Sequence, residues 1–294
     1  MIRQERFDTP GRVEVIVDNK LGDVRLRTHA APVTEVELRP EGPHGDEVIE
    51  NARVELQKFD GDEKVIVEVP EPSGFLWRKE TDVVVLVRLP EGASVDVATA
   101  AGKITGEGTL GATRARTASG DVSLGPVEGD LSARTASGDV TAASVTGGAE
   151  LTTASGSVRC GPVGQTALVK TASGDIDVES VAGRMTAETA SGDIGVGVLQ
   201  DGCDLKTVSG DQRVRQLVTG KADFKTVSGD LTISVARGTA VTIDVESLSG
   251  ALSSEIELSS EGPDDEGPAG QSGPRAELRA RSVSGDVRIR RTPA

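Results

Sequence analysis

Apolar and polar positions recur along the middle of this 294-residue chain with a period of 18 residues, and a Ser-Gly pair marks each period. Ala101-Gly102 holds the same phase one period upstream of the first pair. The intervals are 18 residues up to Ser209 and then 19, 21 and 35, with serines at Ser119, Ser137, Ser155, Ser173, Ser191, Ser209, Ser228, Ser249 and Ser284. Because the residues between the pairs also keep their pattern, the period reflects a repeated structural unit.

Two short apolar stretches lie within each period. When residues are numbered from the serine, positions 4, 6, 9, 13 and 15 are apolar, and single polar residues separate 4 from 6 and 13 from 15. This alternation is typical of a strand with one buried face. We therefore predict two strands per period, with positions 4, 6, 9, 13 and 15 buried and positions 3, 5, 14 and 16 exposed.

The strands of successive periods are equivalent in sequence, and this equivalence restricts how they can be arranged. Like residues occupy like positions over many periods, as stacked coils require, whereas consecutive hairpins would reverse alternate strands. Propeller blades need about 40 to 50 residues each. We predict an all-β fold, a parallel β-solenoid (β-helix) of about nine 18-residue two-strand coils that stack roughly 4.8 Å apart. The turn glycines and a hydroxyl ladder would keep the coils in step, with threonines Thr117, Thr135, Thr153, Thr171, Thr189, Thr207 and Thr226.

The ends of the chain depart from the period. Residues 1–93 read as a β-rich N-terminal region that caps the solenoid of residues 94–294, and Lys20–Leu26 already resembles a coil. Residues 259–275 are acidic, rich in Gly and Pro, and read as a disordered insertion before Glu277–Arg290 completes the stack. Strand-like stretches of the first region are Val13–Val17, Val33–Leu38, Arg53–Lys58, Val65–Val69 and Val83–Leu89.

Composition narrows the possible partners and locations. The net charge of -15 disfavours nucleic acid and anionic lipid surfaces. Aromatic residues make up 2% of the chain, so the core should be thin. The N-terminus has no apolar signal region, and the Val83–Val87 run is too short to span a bilayer. We expect a cytoplasmic protein without membrane insertion, at the cell surface only if a leader was removed.

The repeated Thr-Ala-Ser-Gly-Asp-Val/Ile units carry a resemblance. Together with the preceding Val87–Ile104 segment, they resemble the bacterial β-strand-repeat family called "putative adhesin", a domain of unknown function. The likeness covers roughly Val13 to Arg290. It implies a parallel β-helix without known catalysis.

An acidic column at position 3 is the most visible candidate for binding chemistry. Stacked carboxylates could hold Ca²⁺ between coils, although calcium repeats usually supply several ligands per turn. Aspartate after glycine is also favourable turn chemistry, with the cations of position 16 balancing it across the turn. We favour turn chemistry and predict stability that is independent of calcium. The column comprises Asp121, Asp139, Asp175, Asp193, Asp211, Asp230 and Asp286, with breaks at Ser157 and Ala251, and the cations are Arg116, Arg134, Lys170, Lys206 and Lys225.

No arrangement in the sequence indicates an enzyme. His29 and His44 lie in turn-rich segments without a motif, and there is no zinc spacing, phosphate loop or nucleophile elbow. Cys160 and Cys203 occupy inward positions 6 and 13, and their separation by two coils predicts free, buried thiols. We therefore assign no catalytic residue, cofactor or metal ligand.

Two aromatic residues are candidates for a partner surface. Phe75 and Trp77 lie beside Arg78 and Lys79 in a loop-like segment. We favour the interpretation that they cover the core of the N-terminal region, and the alternative is a binding hot spot. The low-ranked partner surface combines them with the acidic column and with Arg116, Arg134, Lys170 and Lys206.

Two classes of function remain. One is a non-catalytic, adhesin-like scaffold that presents repeated ladders to a protein or glycan partner, and the other is a self-assembling cytoskeletal or filament-forming solenoid. A calcium-binding repeat module or a polysaccharide-active enzyme is less favoured. Arg288, Arg290, Arg291 and Pro293 would blunt the final edge strand, which favours a monomer or weak self-association.

Overall fold

The computed structural model describes residues 1–20, 22–41, 45–59, 62–71, 82–256 and 273–293. These residues divide into two compact units, Met1–Val163 and Gly164–Ala294. No helix among them is long and apolar enough to cross a membrane. The boundary expected between the N-terminal region and the solenoid, at residues 93 and 94, stays a prediction. Most of the expected insertion at 259–275 lies outside the described residues.

The first unit is built from short strands and one helix. Its helix, α1, spans Gly45–Glu50 between β4 and β5. The strands are β1 (Arg3–Asp8), β2 (Arg12–Asn19), β3 (Val24–His29), β4 (Val33–Glu41), β5 (Arg53–Phe59), β6 (Asp62–Val69), β7 (Asp82–Pro90), β8 (Ser94–Thr99), β9 (Ile104–Glu107), β10 (Thr113–Arg116), β11 (Val122–Val127), β12 (Leu131–Arg134), β13 (Val140–Val145), β14 (Ala149–Thr152) and β15 (Val158–Val163). All five strand-like stretches expected in residues 1–93 lie within these strands, which confirms them.

Two open sheets form the first unit. In one, the strands follow the order β1-β4-β7-β3-β9-β11-β13-β15, and in the other the order β5-β6-β2-β8-β10-β12-β14. Strands of the repeat pair in parallel with partners 18 residues apart, such as Val122 with Val140 and Leu131 with Ala149. Each 18-residue period is therefore one coil with a strand in each sheet. The predicted parallel β-solenoid is confirmed.

The N-terminal region enters the solenoid out of sequence order. β2 and β3 form a coil that pairs in parallel with β8 and β9, with Val24 opposite Ile104. This confirms the coil expected around Lys20–Leu26. β6 and β7 pair with the other side of that coil, and β5 and β4 follow them in antiparallel orientation.

Helix α1 packs against β4 and β7 in the first unit. Val48 and Ile49 are buried at 4% and 3% exposure. The Arg3 guanidinium on the edge strand β1 donates hydrogen bonds to the carbonyls of Ala52 at 2.6 Å and of Ile49 at 3.3 Å. These contacts join the edge strand β1 to the end of α1.

The second unit continues the same architecture. Its sheets have the strand orders β17-β19-β21-β23-β27-β25 and β16-β18-β20-β22-β26-β24. The strands are β16 (Ala167–Lys170), β17 (Ile176–Val181), β18 (Met185–Ser191), β19 (Ile194–Leu199), β20 (Cys203–Ser209), β21 (Gln212–Leu217), β22 (Gly220–Ser228), β23 (Leu231–Val235), β24 (Ala240–Ser249), β25 (Leu252–Ser254), β26 (Arg275–Ser284) and β27 (Val287–Arg291).

The last strands in the sequence do not end the stack. β26 lies between β22 and β24, and β27 lies between β23 and β25. The expectation that Glu277–Arg290 completes the stack is therefore wrong. The coil of β24 and β25 is outermost, and the final coil of the chain is inserted beneath it.

The C-terminal arginines hold this inserted coil in place. Arg288 contacts the carboxylates of Asp230 at 3.1 Å and Asp286 at 2.7 Å. Arg291 donates to the carbonyls of Ala236 and Thr239 at 2.9 and 2.8 Å. The prediction that Arg288, Arg290, Arg291 and Pro293 blunt an edge strand is wrong, because β27 has a neighbour on both sides.

The interior is packed with small aliphatic side chains, as the repeat predicts. In the coil that starts at Ser119, the residues at positions 4, 6, 9, 13 and 15 are all at most 4% exposed. Gln212 departs from the pattern at position 4. It is 1% exposed and donates a hydrogen bond to the Lys225 carbonyl at 2.7 Å. Cys160 and Cys203 are buried and free, which confirms both predictions.

The turn glycine at position 2 lies directly against the coil before it. A Cβ added to Gly138 would lie 1.9 Å from the Gly120 carbonyl oxygen, and one added to Gly120 would lie 1.8 Å from that of Gly102. Real Cβ contacts do not occur at such distances, so the backbone would have to separate. Close approach of successive coils therefore requires glycine at this position.

We expect Gly138→Ala to destabilise the protein by about 3 kcal/mol or more, because it opens the contact between two coils. The matched control is Gly92→Ala: Gly92 has a φ of 73° and nothing within 4 Å of an added Cβ. That change should cost only about 1 kcal/mol, from backbone conformation alone. Urea unfolding of both variants measures the difference. Equal effects would contradict a steric requirement.

Candidate functional site

A buried threonine connects successive turns at several positions, whereas the buried Thr226 hydroxyl has no hydrogen-bond partner among the described residues. Thr135 Oγ1 donates to the Gly120 carbonyl of the preceding turn at 3.0 Å and accepts the N–H of Gly138 in its own turn at 3.1 Å. The same donation occurs from Thr117 and Thr153 in the first unit and from Thr189 and Thr207 in the second. The threonines stack as predicted, but these hydroxyls bond to backbone groups rather than to one another.

The aspartates at position 3 form a second link between coils. Asp121 Oδ1 accepts the N–H of Asp139 at 3.1 Å, and Asp139 Oδ1 accepts that of Ser157 at 2.8 Å. In the second unit the same bond of 2.8–3.0 Å joins Asp175 to Asp193, Asp193 to Asp211, Asp211 to Asp230, Asp230 to Asp286 and Asp286 to Ala251. Each of these carboxylates thus caps a backbone N–H of the next coil.

This linkage explains the break in the acidic column at Ala251. The N–H of Ala251 is the last donor in the column, because its coil is outermost among the described residues. No further N–H of the described chain stacks on it, so an acceptor side chain has nothing to cap there. Aspartate therefore occurs in the column where its carboxylate can accept a backbone N–H of the next coil. Its predicted independence from calcium stays a prediction.

Two carboxylates of the column, Asp121 and Asp230, lie in surroundings that favour the ionised form. The N–H of Asp139, followed by the ammonium of Lys103, lowers the pKa of Asp121. The N–H of Asp286, followed by Arg288, lowers the pKa of Asp230. Backbone hydrogen bonds are the larger cause in both cases. These aspartates therefore act mainly as acceptors for the backbone.

The cations at position 16 do not pair with the acidic column. Arg116 contacts Asp96 at 2.8 Å, and Arg134 pairs with Glu150 on the adjacent strand. In the second unit, Lys170 and Lys206 contact opposite oxygens of the Glu188 carboxylate at 3.2 and 3.3 Å. The prediction that these four cations balance the aspartates across the turn is wrong. They form rows of ion pairs on the outer face of their sheet.

A groove of about 540 Å³ lies on the outer face of the other sheet of the first unit. Two rows of side chains, each crossing the neighbouring strands β1, β4, β7, β3 and β9, line it. The register places in the first row Arg6, Glu35, Arg88, Arg27 and Glu107, and in the second Gln4, Glu37, Leu86, Arg25 and Thr105. The groove therefore combines guanidinium groups with a half-buried leucine.

The first row carries an imbalance of charge. Arg6 and Arg88 share the Glu35 carboxylate, at 3.3 and 3.4 Å. Arg27 lies 3.6 Å from Glu107 on its other side. Arg27 and Arg88 stand directly opposite each other on adjacent strands. Like charges in such a position repel, which makes the space over them favourable for an anion.

Sequence analysis did not identify these arginines. Arg27 and Arg88 lie in segments separated by the β4–β6 excursion, and only the pairing of β3 with β7 brings them together. The alternation in the Val24–His29 strand, which puts Arg25 and Arg27 outward, was the available signal. His29 is half-buried and accepts the Ala31 N–H. Phe75, Trp77 and His44 lie outside the described residues.

Comparison with known proteins agrees with this architecture. A family model described as Toastrack DUF4097 matches residues 14–290. The chain belongs to this family. The resemblance drawn from its repeated turns is thereby confirmed. No curated protein matches the Toastrack chain.

Solved structures resemble this Toastrack protein only distantly. A "putative adhesin" from Bacteroides fragilis is 10% identical, with 98% of this chain and 97% of that one covered and a TM-score of 0.39. A "putative lipid binding protein" from Parabacteroides distasonis is 12% identical, with 98% and 96% covered and a TM-score of 0.42. A "putative cell adhesion protein" from Clostridium sporogenes is 11% identical, with 99% and 100% covered and a TM-score of 0.27.

We expect Asp121 and Asp230 to make the protein sensitive to acid. A carboxylate whose pKa is lowered by folding stabilises the native state above its unfolded pKa, about 3.9 for aspartate, and that contribution is lost as pH falls through the folded value. Asp121→Asn combined with Asp230→Asn should therefore flatten the loss of unfolding free energy below about pH 4. Urea unfolding between about pH 5 and pH 2.5 measures the slope. A slope equal to that of the wild type would contradict the assignment.

Proposed function

We propose that this Toastrack protein is a non-catalytic interaction scaffold that binds an anionic glycan in the outer groove of its first unit. The observation that carries the proposal is the direct opposition of Arg27 and Arg88 on adjacent strands. Both are exposed, with side chains 71% and 58% accessible. A carboxylate or sulfate placed over the pair would replace repulsion with charge-assisted hydrogen bonds.

The chemistry of the groove favours a saccharide over an isolated ion. The two rows cross five strands, which corresponds to about 19 Å at the spacing of a sheet. Guanidinium groups bind planar anions through two parallel hydrogen bonds, while Leu86 offers an apolar floor and Gln4 and Thr105 offer neutral hydrogen-bonding groups. A chain of acidic sugars presents anions and apolar ring faces along such a length.

The groove is less acidic than the chain as a whole, because its lining balances the four arginines with four glutamates. A net charge of -15 repels anions from most of the surface. Binding at the groove would therefore depend on direct contacts with Arg6, Arg25, Arg27 and Arg88 rather than on long-range attraction. We expect moderate affinity and strong salt dependence.

The acidic, hydroxyl and thiol side chains of the repeat have structural roles, which supports a non-catalytic function. The column carboxylates from Asp121 to Asp286 bond to backbone N–H groups, and the turn threonines bond to backbone carbonyls. Burial raises the pKa of Cys160 to about 11 and raises that of Cys203 further, so both thiols are poor nucleophiles.

The surface expected from sequence remains a second proposed contact face. Its rows also hold directly opposed cations, such as Arg116 and Arg134. We rank it below the groove because the groove adds a half-buried leucine and neutral hydrogen-bonding groups beside its opposed pair. This second face consists of the outward residues Asp121, Asp139, Asp175, Asp193, Asp211, Asp230, Arg116, Arg134, Lys170 and Lys206. Phe75 and Trp77, which the sequence analysis joined to this surface, lie outside the described residues.

We expect a hexasaccharide of uronic acids to bind the full chain and the neutral hexasaccharide of the same linkage not to bind. Arg27→Gln with Arg88→Gln should weaken binding about tenfold or more, because charge-assisted hydrogen bonds are lost. Isothermal titration calorimetry at low and high salt measures both effects. Thermal unfolding of the variant, expected to be unchanged or slightly more stable, shows that the fold is retained.

The matched control is Arg159→Gln, which removes an exposed outward arginine from β15, a strand of the same sheet outside the groove. It should leave binding unchanged. Equal affinity for the acidic and neutral sugars, or equal loss in the control, would contradict the proposal.

A further inference from the structure

The outermost coil of the second unit has an open edge in both sheets. Among the described residues, β24 pairs only with β26, and β25 pairs only with β27. Each strand therefore presents one row of backbone N–H and C=O groups without a strand partner in the described chain. Such an edge is a template for pairing with another strand.

The apolar face of this coil is also incompletely covered. Val241, Ile243 and Val245 point inward but are only half-buried. Their register partners in β26, among them Leu278, are at most 5% exposed. Leu248 is 84% exposed, beyond these positions on the same strand. The core of the second unit thus ends on apolar side chains that a further layer would cover.

The edge of β24 lacks the features that usually prevent pairing. Its ten residues, Ala240–Ser249, contain no lysine and no proline. Its two acids are neutralised from within the molecule, since Asp244 lies 3.5 Å from Arg279 and Glu246 lies 3.3 Å from Arg281. An approaching strand therefore meets a long and nearly neutral edge.

We propose that the partner of this edge is the same edge of a second copy of the chain. Stacking of unlike ends is disfavoured, because the edge strands β1 and β5 of the first unit carry charged residues, and charges on an edge strand hinder pairing. Two identical ends meet through a two-fold axis, which closes the assembly at a dimer. The axis makes β24 antiparallel to β24 of the second copy.

The sequence of β24 selects a register for this pair. Inward residues must face inward residues, so the two-fold axis must pass through a residue and not between two residues. With Ile243 on the axis, Val241 faces Val245, Thr242 faces Asp244 and Ala240 faces Glu246. Centring on Asp244 or on Val245 would place carboxylates opposite each other. The Ile243 register is the longest that avoids this repulsion.

This proposal concerns a surface separate from the sugar-binding groove and does not rest on it. Sedimentation velocity of the full chain over a range of concentrations should show a monomer in equilibrium with a dimer and no larger species. Only monomer at every concentration, or continued growth beyond the dimer, would overturn the proposal.

Charge at residue 242 provides a signed test. Thr242→Asp sets acids opposite each other at two symmetric positions and should raise the dimer Kd about fivefold, whereas Thr242→Lys should lower it. The control Thr232→Asp adds the same charge to β23, an interior strand whose register partners are Arg213 and Arg288, and should change nothing. Dimerisation that is indifferent to the charge at residue 242 would refute the pairing.

A cysteine at the axis tests the register itself. Residues paired with themselves in antiparallel strands have Cα atoms about 4.5 to 5.5 Å apart, within disulfide range. Ile243→Cys should therefore form a covalent dimer on oxidation, whereas Val241→Cys should not, because it faces Val245. The native thiols of Cys160 and Cys203 are buried and should not interfere. Efficient crosslinking of Val241→Cys instead would overturn the proposed register.

Discussion

The structure depends on one constraint, that every coil must turn at the same height as its neighbour and almost in contact with it. A Cβ at the turn glycine would meet the preceding carbonyl within about 2 Å at Gly120 and Gly138. Close approach in turn brings the threonine hydroxyl to that carbonyl and the aspartate carboxylate to the next N–H. The glycine, threonine and aspartate of the repeated turn are therefore all explained by the same contact between successive coils.

The sequence was sufficient to predict the strands, their inward residues and their parallel stacking, because each depends on the local pattern within a period. It was not sufficient for the order of the coils at the ends. The β26–β27 coil has the same pattern as any other, and its place under β24 is determined by contacts such as that of Arg288 with Asp230. The groove was missed for the same reason, since Arg27 and Arg88 become neighbours only when β7 pairs with β3.

In such a molecule, a partner can bind only at surfaces that do not take part in the stacking of coils. The aspartate carboxylates and threonine hydroxyls of the turns form hydrogen bonds with the backbone, and most charged side chains of the outer rows form ion pairs with one another. Two surfaces of the described residues support the proposals. In the first unit, opposed arginines lie in a groove, and in the second unit, an apolar coil ends without a covering layer among the described residues. The proposed glycan site and the proposed dimer correspond to these two surfaces.

Amide hydrogen exchange at the turn tests the central constraint most directly. The N–H of Asp211 donates to Asp193 Oδ1, and that of Asp230 donates to Asp211 Oδ1, both at 2.8 Å. In Asp193→Ala, exchange of the Asp211 amide should accelerate about tenfold or more while that of Asp230 stays slow, and Asp193→Asn, which keeps an acceptor oxygen, should largely preserve protection. Unchanged exchange at Asp211, or equal acceleration at both amides, would contradict the account.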